Sequence, residues 1–210
     1  MRVFVETNFV LEMAFEHAQS QACEGLVRHA EAGDIQLVIP AFCFIEPADT
    51  LRRRIHAHKE LQGRLEEEQR SRRDTASFTE AQGQAWDVVI GSLVKSTQEA
   101  RSRVKSIRAR LLNCAEVVPV SGDVITRAAS FQQENIDLHF PDAVVLASVM
   151  TRLTEDTDSA RPPSVFLNRN KTDFSAGGIK RALKERHCRL ITSFDDGLSA
   201  IRAGLHFKPA

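Results

Sequence analysis

Five short runs with strand character punctuate the chain: RVFV (2–5), IQLVI (35–39), EVVPV (116–120), SVFL (164–167) and RLIT (189–192). Between them, apolar residues recur every three or four positions, which is the helical signal. Phe9, Leu11, Met13 and Phe15, then Cys23, Leu26, Val27 and Ala30, fill the first connection. Ile125, Ala128, Ala129, Phe131 and Gln132 mark a further helix, and Val144 to Met150 a nearly all-apolar one. Strands that alternate with helices pair in parallel, with helices over both faces of the sheet. The expected architecture is α/β: a three-layer α/β/α sandwich around a central parallel sheet of about five strands, in a single domain over 1–210.

The second connection breaks this rhythm by its length. Residues 48–113 read as two helices interrupted near DTASFT (74–79), a helical hairpin inserted within the domain. Its second arm is one-sided in charge from Lys95 to Arg110, with Lys95, Arg101, Arg103, Lys105, Arg108 and Arg110 against the single acid Glu99. Such an arm reads either as a solvated helix with ordinary i,i+4 pairs or as a basic surface along a phosphate backbone. The chain as a whole is neutral, with 28 basic and 28 acidic residues, so attraction to nucleic acid has to come from a local patch of this kind. The four scattered cysteines, none in a C-x-x-C pair, point to reduced thiols rather than a disulfide framework or a zinc ribbon. There is no apolar run of about 18 residues, and Glu6, Glu12 and Glu16 interrupt the N-terminal apolar stretch. The expectation is a cytoplasmic protein without a membrane partner.

In an open parallel sheet, ligands bind beyond the carboxyl ends of the strands, so the residues that follow each strand matter most. Glu6 follows the first run, and Glu46 is the lone acid in the apolar PAFCFIEP after the second. Pro141-Asp142 opens the all-apolar helix, and NRNKTDF after the fourth run holds Asn168, Asn170 and Asp173. Singly, most of these read as helix caps or first-turn acids favoured by the helix dipole. Glu46 does not, because an acid in apolar surroundings needs a partner or a cation. Four carboxylates at one edge repel unless a divalent cation neutralises them, and an all-oxygen set suits magnesium or manganese. No P-loop glycine pattern and no H-E-x-x-H accompanies them.

With VFVETN near the start, the lone Glu in IPAFCFIEP, PDAVVLA, and FLNRNKTDF followed by RLITSFDDGLSAI, the chain resembles the PIN domain family. The resemblance implies a metal-dependent endoribonuclease that hydrolyses phosphodiester bonds of single-stranded RNA with Mg2+ or Mn2+. It also implies a toxin of a toxin–antitoxin pair, with an antitoxin protein and a homodimer as partners. Carried over by position, Glu6, Glu46, Asp142 and Asp173 become the catalytic and metal-binding acids, with Asn170 as the other candidate for the fourth place. Thr7, Asn8, Asn168 and Asn170 become supporting groups. The charge of the second arm, separately, makes Arg101, Arg103, Lys105 and Arg108 candidate RNA contacts, and Arg169 and Lys171, which flank Asn170, are two more. The chain departs from the family pattern where Glu6 replaces the usual Asp, which moves the carboxylate outward by roughly 1.5 Å, one C–C bond. It departs again at Asn168 and Asn170, and Pro47 is expected to kink its helix and re-aim Glu46. These departures support an alternative: a catalytically silent PIN-like module that binds RNA or protein.

Overall fold

The computed structural model describes residues 1–131, 138–155, 162–170, 174 and 177–206. Its strands are β1 (Arg2–Val5), β2 (Gln36–Pro40), β3 (Ala115–Val118), β4 (Ser164–Leu167) and β5 (Cys188–Ile191). They form one sheet, all parallel, in the order β3-β2-β1-β4-β5. Every residue of β1 and β4 is buried, as parallel strands covered on both faces require. The five-stranded parallel sheet expected from the apolar runs is thus present. β3 stops at Val118, two residues short of its run, because Pro119 has no N–H to give to a ladder.

The helices are α1 (Thr7–Ala14), α2 (Ser20–Glu31), α3 (Glu46–Arg73), α4 (Glu80–Cys114), α5 (Gly122–Ser130), α6 (Phe140–Thr154), α7 (Gly177–Lys184) and α8 (Phe194–His206). α1, α2, α8 and the C-terminal part of α4 cover one face of the sheet, and α5, α6 and α7 the other. α8 lies against β4 through Gly197, where a Cβ would stand 2.6 Å from a Leu167 methyl. The aromatic core follows the same layers. Phe9 of α1 meets Phe194 of α8 edge-on at 5.5 Å, and Phe166 of β4 meets Phe174 at 5.7 Å.

α3 and α4 form the long hairpin, separated by residues 74–79. Thr79 caps α4 reciprocally: its hydroxyl accepts from Gln82 N, and the Gln82 side chain accepts from Thr79 N. Pro47 corrects an expectation. It stands in the first turn of α3, where a missing N–H breaks no helical hydrogen bond, so it starts the helix instead of kinking it. A 3-10 turn, Ala41–Phe44, links β2 to that start. Among the described residues no helix is long and apolar enough to cross a membrane.

Candidate active site

The strand order reverses at β1: the chain builds outward through β2 and β3, then returns to place β4 on the other side of β1. Connections leave this point in opposite directions, and in open parallel sheets that is where a crevice forms beyond the carboxyl ends of the strands, here those of β1 and β4. Glu6 is the residue directly beyond β1, and Asn168 the one directly beyond β4.

Glu6 has extended backbone (φ −117°, ψ −177°) and serves as the N-cap of α1. Its Oε2 accepts from Asn8 N at 2.7 Å, and its Oε1 accepts across the crevice from Arg169 N at 3.3 Å. The additional methylene relative to Asp is therefore absorbed by folding the carboxylate back onto its own helix. Glu6 is only 5% exposed. Burial raises its pKa from 4.5 to about 7, opposed by the hydrogen bonds from Asn8 and Arg169 and assisted by the charge of Asp142.

The other two acids arrive by the same device. Glu46 is the first residue of α3 and Asp142 lies in the first turn of α6, so both carboxylates sit at positive helix ends. Glu46 is half-buried, and its Oε2 accepts the Thr7 hydroxyl at 2.5 Å. Cys43 ties the three together. Its fully buried thiol is pushed well above the usual range, first by burial and then by the charges of Glu6, Glu46 and Asp142, with Thr7 in hydrogen-bond contact. The charges of Glu6, Glu46 and Asp142 are thus all felt at Cys43, and Thr7 and Asn8 hydrogen-bond two of these carboxylates.

Asn168 is 1% exposed, and its Oδ1 accepts from Asn170 N at 2.7 Å, which closes the turn after β4. That bond fixes the amide orientation and leaves a buried Nδ2 with no partner among the described residues. Asp173 and Lys171 lie outside the described residues. Among the described residues, no three His, Cys, Asp or Glu side chains stand close enough together to hold one metal ion. Glu6, Glu46 and Asp142 are all oxygen donors, the ligand type that hard divalent cations take.

Two candidate RNA contacts are engaged inside the fold. Arg103 Nε donates to Ala14 O at 2.8 Å and its Nη1 meets Glu16 at 3.2 Å, clamping α4 onto the end of α1. Arg169 turns its guanidinium onto Glu12 of α1. Sequence reasoning passed over Glu12, although it is 2% exposed and also accepts from Gln19 N at 2.9 Å. The signal was available: Glu12 interrupts an apolar helix face, as Glu46 interrupts its own apolar run. The pair pins the turn after β4 to α1, and that turn carries the N–H that holds Glu6. Arg101, Lys105 and Arg108 are exposed.

A profile of the PIN domain family matches residues 3–174, which covers β1 through the turn after β4. Matching against curated proteins and against solved structures returned none.

Proposed function

The chain belongs to the PIN domain family, and on that premise we propose that it is a metal-dependent endoribonuclease acting on single-stranded RNA. One observation supports this reading best: Glu6 follows β1, Glu46 and Asp142 open α3 and α6, and the charges of all three act on the buried Cys43 thiol at the end of the sheet where the strand order reverses. Glu6, Glu46, Asp142 and Asp173 would hold a magnesium or manganese ion, which supplies an activated water and charge neutralisation at the leaving oxygen. The chain's own groups prepare that edge. Thr7 orients Glu46 through its hydroxyl, and Asn8 and Arg169 orient Glu6 through their backbone N–H groups. The Glu6 proton, retained to about pH 7, has to leave before its carboxylate can act as a ligand. A role as the toxin of a toxin–antitoxin pair, and pairing as a homodimer, extend the proposal on the strength of the family resemblance.

The test is cleavage of a single-stranded RNA pool with manganese, with EDTA, and with Asp142→Asn. Cleavage should require manganese and fall at least about 100-fold in Asp142→Asn, since even outer partners of metal ligands cost 10–100-fold. A second reading, a silent binding module, is favoured by the engagement of both Glu6 oxygens with backbone N–H groups and by the absence of a closed three-ligand cluster among the described residues. RNA that is bound but left intact with manganese, by wild type and Asp142→Asn alike, would select it.

A further inference from the structure

The basic residues of α4 divide between two faces. Arg103 and Arg110, seven apart, turn toward the body, where Arg110 meets Glu24 at 2.8 Å and Glu31 at 3.0 Å. Arg101, Lys105 and Arg108, spaced i, i+4 and i+7, form a separate exposed stripe, and no carboxylate among the described residues ion-pairs with them. This stripe faces α3 across a groove. Arg52 and Lys59 stand on the opposite wall, Arg52 also meeting Asp49 of its own helix. The floor is apolar, formed by Leu51, Ile55 and Val104. Two cavities of about 510 and 210 Å³ share Ile55 and Arg101 and make the groove continuous.

The groove is placed as well as charged. Ala48, two residues beyond Glu46, lines its near end, and Gln62 its far end. At 1.5 Å per residue it follows α3 for about 20 Å away from the acidic edge. Cationic walls attract a polyanion, and an apolar floor suits the faces of unpaired bases, which a duplex keeps stacked inside. We propose that the α3–α4 groove is the track along which a single RNA strand runs to the acidic edge, with Arg52, Lys59, Arg101, Lys105 and Arg108 on its phosphates. This rests on the ribonuclease reading for the nature of the strand, but its test does not depend on cleavage.

Binding of a fluorescein-labelled single-stranded RNA 16-mer and of its duplex is measured by anisotropy in EDTA over a range of salt concentrations. The proteins are wild type, Arg101→Ala/Lys105→Ala/Arg108→Ala, Arg52→Ala/Lys59→Ala, and an off-groove control, Arg53→Ala/Arg64→Ala. Each lost contact to a single strand lowers the slope of log K against log salt by about 0.7, so the triple variant should lose about 2 and the double variant about 1.4. The control should match wild type, and the duplex should bind more weakly than the single strand. A wild-type slope in both groove variants overturns the proposal, as does equal loss in the control or equal binding of the duplex. Wild type that binds no RNA also overturns it and leaves the groove to an acidic protein partner. If groove variants bind normally while cleavage still requires Asp142, the groove falls and the nuclease stands. If the groove binds RNA that is never cut with manganese, the groove stands and the nuclease falls.

Discussion

Burial holds the Glu6 carboxyl at about pH 7, against 4.5 for the free group. Between these values the folded protein keeps a proton that the unfolded chain has released, so stability falls as pH rises through that window. The loss amounts to on the order of 3 kcal/mol, at 1.4 kcal/mol per unit. Urea unfolding in EDTA at pH 4.5 and pH 8 should show this decline in wild type, and Glu6→Gln should remove most of it. Manganese at pH 8 should restore stability to wild type and not to Glu6→Gln. Glu12 is the second residue of consequence, a buried carboxylate of α1 that meets the Arg169 guanidinium, with the His17 ring 3.5 Å away. Arg169→Ala leaves that charge to the Gln19 N–H and His17 and should cost about 2 kcal/mol, below the full range for a buried pair because the arginine is partly solvated. Adding Glu12→Gln should recover part of the loss, a coupling that a double-mutant cycle in urea measures directly.

Among the elements, the hairpin has an uneven anchor. The C-terminal part of α4 is held by apolar burial at Ala100, Val104, Ile107 and Leu111 and by the Arg103 and Arg110 clamps. Beyond that root, from His56 to Glu99, Gln69 alone is buried, and it reaches across to Gly83 O at 3.2 Å and Asp87 at 2.9 Å. A helix pair with so little apolar burial opens without unfolding the body. Amides over residues 60–92 should therefore exchange with deuterium at least about 100-fold faster than those of β1 and α6, as read by mass spectrometry. Protection equal to the sheet would mean that the distal hairpin is covered by something, a second copy being the first to test by sedimentation.

At the scale of the whole molecule, the arrangement follows from one topological fact. Because β4 returns to the free side of β1, the ends of β1 and β4 and the starts of α1, α3 and α6 open toward the same crevice. Three helix dipoles pointing there lessen the repulsion between acids that burial alone would make severe. The hairpin leaves this edge at Glu46, so any strand lying in its groove is delivered to the acids rather than to a remote face.

Much of this was legible in the sequence. Strand runs and helical spacing sufficed for the sheet because a strand buried on both faces has to be apolar throughout, and that leaves a mark in one dimension. The expectation at Glu46 has a related basis: a carboxylate within an apolar run costs free energy unless something compensates it. Glu6 and Asp142, taken singly, read as a helix cap and a first-turn acid, and the structure places them in those positions. The tertiary structure alone decided partnerships. Arg103 and Arg169 look like any exposed cation in the sequence, and only the approach of α1 to α4 and to the turn after β4 turns them inward. Lys105 and Arg108 stay outward because helical spacing puts them on the face toward α3. Composition and periodicity record which surfaces are buried, whereas the pairing of charges depends on distances between segments far apart in the chain.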